Sequence, residues 1–130
     1  MSDIFDFSSF PVIDTERLHL RQLTYNDADA IMAIYSTAEM MRFLAQPPTD
    51  TREKAIELID WFDSNYQKQE GIDWGITLPG QDRLIGMCGL YPWNRADRHI
   101  DMGYHILPPY WGQGYATEAA RAIIGWAVSR

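Results

Sequence analysis

The stretch Pro109-Tyr110-Trp111-Gly112-Gln113-Gly114-Tyr115-Ala116-Thr117-Glu118-Ala119-Ala120 constrains the chain most. It joins a strand-like run to an Ala-rich helical run through a loop with two glycines and no acidic side chain. Such a turn gathers consecutive backbone N–H groups at a helix N-terminus, where first-turn donors lack partners and the helix dipole is positive. Glycine suits it because a Cβ would obstruct either a positive φ or the close approach of a phosphate. The loop therefore points to a phosphorylated ligand, with a plain strand-to-helix turn as the alternative. It is not a P-loop, because no Lys follows the second glycine. A dinucleotide fingerprint would need a third small residue where Thr117 stands and a place at the start of a βαβ unit. An unrelated nucleotide-binding domain is thereby disfavoured.

The rest of the chain predicts elements in the order β-α-α-β-β-β-α, an α+β layout with an antiparallel meander. Leu18 and Leu20 alternate with His19 and Arg21, as in a strand with one apolar side. Asn26 is placed to cap a helix to about Ser36, and a turn follows around Ala38–Leu44 before Pro47-Pro48 stops any helix. Asp50 with Glu53 reads as a capping box opening a helix to about Lys68, its face formed by Ala55, Leu58, Ile59, Phe62 and Tyr66. Trp74–Leu78 and Leu84–Tyr91 pair about a turn at Pro79-Gly80-Gln81-Asp82. A loop at Pro92–Asp97 leads to a strand over Arg98–Leu107, and the last helix starts near Tyr115. Ala116, Ala119, Ala120, Ile123, Ile124, Ala127 and Val128 form its stripe, while Trp61, Trp74 and Trp126 read as core.

Composition narrows the function. At 130 residues the chain is expected to form one domain able to bury roughly two-thirds of its unfolded surface. A net charge of −7 argues against nucleic acid as a partner and is compatible with a cationic acceptor. The single cysteine, Cys88, allows no intrachain disulfide and reads as a small buried hydrophobe in a cytoplasmic protein. The first residues lack the basic segment of a secretory signal, and no apolar run is long enough to span a membrane. His19 and His99 have no partners at ligand spacing, so no metal is expected.

With Asp101-Met102-Gly103-Tyr104-His105-Ile106-Leu107 just upstream, the glycine loop resembles the acyl-CoA site of GNAT N-acetyltransferases, in the RimJ/RimL-like branch. Thr15-Glu16-Arg17-Leu18-His19-Leu20-Arg21 resembles that branch's first strand, and Asn26-Asp27-Ala28-Asp29-Ala30 its first helix. Trp111 departs from the broad family motif, where Gln or Arg is usual, but suits this branch. The resemblance implies a mostly antiparallel sheet flanked by helices. It also implies that the family's chains continue past the position of Arg130 with further strands and a helix, so that this one is truncated after the helix that follows the pyrophosphate loop. A homodimer covering the exposed sheet edge is the expected consequence.

The implied reaction is transfer of an acetyl group from acetyl-CoA to a primary amine, such as a protein N-terminus, by direct attack. Ile106 and Leu107 would offer backbone groups, freed by a bulge, to the thioester and pantetheine. Gly112, Gln113, Gly114, Tyr115, Ala116 and Thr117 would hold the pyrophosphate. Alternation along Arg98–Leu107 puts Asp101 and His105 on one strand face, where a carboxylate and an imidazole could relay the amine's proton through water. Resemblance places Glu more often at the Asp101 position. A salt-bridged carboxylate and a surface histidine are the alternatives for the two. Tyr91 and Trp93 fall where the acceptor channel is implied, with packing beneath the loop as the alternative. A catalytically incomplete fragment, acting as a CoA-binding or interaction module, is the second functional reading.

Overall fold

A computed structural model describes residues 10–36, 51–68, 70–94 and 99–128. Five strands, β1 (Ile13–Asp14), β2 (His19–Arg21), β3 (Ile72–Thr77), β4 (Gly86–Asn94) and β5 (His99–Ile106), pair antiparallel in chain order. The helices are α1 (Ala28–Ser36), α2 (Arg52–Gln67) and α3 (Tyr115–Val128). The α+β class and the meander are as the sequence predicts. The two-residue β1 is additional, too short to carry a periodic signal.

Strand alternation divides the apolar residues between two layers. Ile72, Trp74 and Ile76 of β3 join Leu20, Cys88, Leu90 and Ile106 in one cluster, closed by Ala119, Ile123 and Trp126 of α3. Trp74 and Trp126 meet edge-on with ring centroids 5.4 Å apart. The other cluster packs Ala28, Ile31, Ile34 and Tyr35 of α1 and Ala55, Ile59 and Phe62 of α2 with Leu84 and Met87. Central β3 is buried at every position because helices cover both its faces.

Several local expectations are corrected. Thr24, not Asn26, starts the first helical turn: its N–H donates to Asp27 Oδ2 (2.8 Å), and Arg21 holds the same carboxylate through both oxygens. At α2 the N-cap is Thr51, whose hydroxyl accepts from the Lys54 N–H (3.1 Å), the geometry of a capping oxygen. The expected turn at Ala38–Leu44, the Pro47-Pro48 stop and Asp50 lie outside the described residues. Trp61 is 55% exposed, because it sits one residue off the Ala55–Ile59–Phe62–Tyr66 stripe. Ile124 and Val128 also face outward, since α3 rotates them past the buried line of Ala119, Ile123 and Trp126. Strand β4 runs to Asn94 through the expected loop, with a register shift between Tyr91 and Asn94 that accommodates Pro92.

Candidate active site

The glycine loop enters α3 as its composition requires. Gly112 and Gly114 have φ of 78° and 81°, the left-handed region that favours glycine. The first helical bond runs from the Glu118 N–H to the Gly114 carbonyl (3.0 Å), so the N–H groups of Tyr115, Ala116 and Thr117 have no partner within the helix. Ile106, Tyr110, Trp111, Gly112, Gly114, Tyr115, Ala116 and Thr117 line one depression of about 230 Å³. Among the described residues, a Cβ on Gly112 would meet nothing within 4 Å. This arrangement fits an anion at the helix N-terminus. Of the residues expected to bind the cofactor, Leu107 and Gln113 do not line the depression.

A latch that sequence reasoning missed holds the loop. Arg17 donates from Nη1 to the Gln113 carbonyl (2.8 Å) and from Nε to Glu118 Oε1 (2.7 Å). Its guanidinium lies 4.8 Å from the Tyr115 ring centroid. Glu118 Oε2 accepts from the Arg17 N–H (2.9 Å) and the Thr15 hydroxyl (2.5 Å). Desolvation opposes ionisation of Glu118, but the bonds from Thr15 and Arg17 outweigh it and hold the carboxyl below its usual range. The sequence held one signal, an Arg and a Glu in the two segments that carry the family resemblance. Their pairing across 101 residues is a tertiary fact.

Strand β5 is the last strand of the described sheet. The Leu107 N–H donates to the Ile85 carbonyl (2.8 Å), inside the sheet. In an antiparallel pair the intervening residues turn their backbone groups the other way. Ile106, Tyr104 and Met102 therefore direct theirs to the outer edge, and the Ile106 carbonyl accepts from Trp111 Nε1 there (2.5 Å). Pairing with β4 is regular from Gly86↔Ile106 to Tyr91↔Asp101, so the expected bulge does not fall within that span. The edge-facing groups come from strand alternation, not from a splay.

The α1/α2 side of the sheet carries two further candidates, His105 and Tyr91. His105 stands opposite Met87, half-buried, its ring edge-on to Tyr35 at 5.7 Å. Burial lowers its pKa, so the imidazole is neutral near pH 7. Asp101 stands opposite Tyr91, and Trp93 lies beyond Tyr91 in the irregular part of β4. The Tyr91 hydroxyl donates to Asp73 Oδ1. Asp73, at the start of β3, is buried, and burial pushes its carboxyl up to about 7 against the opposing effect of the Tyr91 bond. The sequence reading passed over Asp73 because one acid in an apolar run gives no periodic signal. Burial raises the Cys88 thiol well above its ordinary value, which suits a packed residue and not a nucleophile. Among the described residues no group of three or more His, Cys, Asp and Glu is placed to hold a metal.

The chain matches the Acetyltransferase (GNAT) domain over residues 17–130. It belongs to the GNAT acetyltransferase family. It is 36% identical over 120 residues to the uncharacterized N-acetyltransferase YoaA of Bacillus subtilis, covering 92% of this chain and 68% of that protein. A GNAT acetyltransferase from Bacillus anthracis superposes with a TM-score of 0.76 at 22% identity, covering 92% of this chain and 67% of that one. RimL, a ribosomal L7/L12 alpha-N-protein acetyltransferase solved with coenzyme A, superposes at 0.69 and 14% identity, over 88% of this chain and 66% of its own. At these identities the two structures report the fold. The chain spans about two-thirds of the length of each relative. GNAT acetyltransferases use acetyl-CoA, and the positive-φ glycines at the start of α3 lie within the matched domain. No helix among the described residues is long and apolar enough to cross a membrane.

Proposed function

We propose that the chain binds acetyl-CoA and transfers its acetyl group to a primary amine by direct attack. The acceptor class is a protein N-terminus, as in the RimJ/RimL-like branch. The observation that carries this reading is the pair of positive-φ glycines at the N-terminus of α3, beside the outward-facing backbone of β5. The N–H groups of Gly112 to Thr117 would hold the pyrophosphate, and the edge-facing backbone of Ile106 and Tyr104 would hold the pantetheine arm as an added strand is held. Acetyl-CoA supplies the activated acyl group. The chain's own residues orient the amine and accept its proton, and Asp101 and His105, two residues either side of Gly103 on β5, are candidates to relay it onward through water.

A second reading keeps the fold and drops the chemistry: the domain binds CoA or a partner without turnover, and a second copy covers β5, the last strand of the described sheet. Acetyl-CoA titration by calorimetry, with the oligomeric state recorded by sedimentation, tests both. Micromolar binding supports the loop assignment, and subsequent turnover on an N-terminal peptide separates the transferase from the binding module. No binding at millimolar acetyl-CoA sinks the loop assignment for this chain.

A further inference from the structure

One row of the sheet is stripped of side chains on the α1/α2 side. The register aligns Asp73 of β3 with Gly89 of β4 and Gly103 of β5. A Cβ on Gly89 would lie 2.4 Å from Asp73 Oδ1 and 2.9 Å from the Tyr91 hydroxyl, so the acid–phenol pair rests directly over that glycine. Among the described residues, a Cβ on Gly103 would meet only Tyr91 Cε2, at 3.8 Å. The trough has His105 and Tyr35 on one side and Tyr91 on the other. At its inner end Asp73 is 7% exposed, and its Oδ2 has no hydrogen-bond partner among the described residues. A buried carboxylate oxygen left unpaired is costly unless it has a task.

We propose that Asp73, acting through the Tyr91 hydroxyl, holds the acceptor's ammonium over Gly103 and takes its proton before acyl transfer. The proposal rests on the acyl-transfer reading above and names the part of the site that selects a cationic primary amine. Tyr91 touches the amine, and Asp73 is the positioning residue behind it. In the step, an ammonium N–H bond breaks toward the Tyr91 oxygen while the phenol proton moves to Asp73 Oδ1. An ammonium and a carboxylate become a neutral amine and a carboxylic acid, and the freed lone pair stays on nitrogen. Desolvation favours this direction, because it raises Asp73 toward neutrality and leaves a base matched to the working pH. Among the described side chains, the titratable groups around it are Tyr35 of α1, Asp63 and Tyr66 of α2, Tyr91 of β4 and His105 of β5. Burial keeps Tyr35 and Tyr91 protonated, so neither competes for the proton as a resting base.

The test uses the 130-residue chain, with n-butylammonium as probe and the Asp73 carboxyl carbon followed by NMR. The expected result is that the probe moves the Asp73 resonance and shifts its titration to lower pH, as a nearby cation must. Tyr91→Phe should abolish that response and weaken the probe about tenfold, the scale of one lost hydrogen bond to a charge, while CoA affinity measured by calorimetry is unchanged. Asp73→Asn should weaken the probe similarly, and Asp73→Glu should restore part of it. An Asp73 resonance indifferent to the probe, or equal probe affinity in wild type and Tyr91→Phe, overturns the proposal. CoA binding is read separately. An amine response without CoA binding upholds the trough and removes the acyl-CoA reading. The wild-type titration needs no variant, so a misfolded Asp73→Asn leaves the decision intact.

Discussion

At the residue scale, Asp73 shows how far position outweighs identity. Its carboxyl is pushed up to about 7 by burial, so between the unfolded value and that pH the native state binds more protons than the unfolded state. The contribution of Asp73 to stability must therefore fall as pH rises from about 4 to about 7 and level off above, by an amount on the order of 4 kcal/mol. Urea unfolding of wild type and Asp73→Asn across that range checks this. The variant should lack the decline and gain on wild type above pH 7. Parallel curves would mean that the carboxyl is ionised in the native state throughout. None of this was legible in the sequence, where Asp73 is one of 18 acidic residues and nothing marks it as buried. Cys88 was legible, because an isolated cysteine in an apolar alternating run has few other roles.

At the element scale, the loop and α3 act as one unit with the turn before β2. Gly114 has φ of 81°, and its Cβ would stand 3.3 Å from Arg17 Nη2. Gly114→Val therefore meets about 1–2 kcal/mol of backbone strain and crowds the guanidinium. The expected outcome is loss of acetyl-CoA binding by calorimetry, with the circular dichroism of the fold retained. Glu118 has the opposite pH signature to Asp73. Its lowered carboxyl pKa contributes stability above the unfolded value, and that contribution is lost as pH falls through the folded one. Wild type should thus lose stability relative to Glu118→Gln below about pH 4, as read from acid unfolding midpoints. The helix and its glycines could be read from the sequence, because turn chemistry is local. The latch could not, since Thr15 and Arg17 reach Glu118 only once β2 and α3 are assembled.

At the scale of the whole molecule, the antiparallel sheet separates two apolar layers, and a tryptophan's place between them sets its worth. Trp74 is fully buried, meets Trp126, and donates from Nε1 to the Pro11 carbonyl (2.8 Å). Trp61 lies on the outer side of α2. Trp74→Ala should cost about 3–5 kcal/mol in denaturant unfolding, whereas Trp61→Ala should stay within about 0.5 kcal/mol. Comparable losses at both positions would show that Trp61 is covered in solution. The sheet also sets the two surfaces on which the proposals rest: the edge-facing backbone of β5 beside the loop, and the row of Asp73, Gly89 and Gly103.

The sequence by itself determined the α+β order, the family and the two-glycine turn that opens α3, because periodicity, turn glycines and the loop motif act over a few residues. Expectations that used periodicity near an element's margin failed, at Trp61, Ile124 and Val128, since one residue turns a side chain by about 100° around a helix. Only the tertiary structure decided which backbone groups of β5 face the edge, that Arg17 and Glu118 close the loop, and that Asp73, Gly89 and Gly103 share a row. Each depends on strand register and layer packing between residues far apart in the chain. Local residue patterns do not encode that geometry until the sheet has formed.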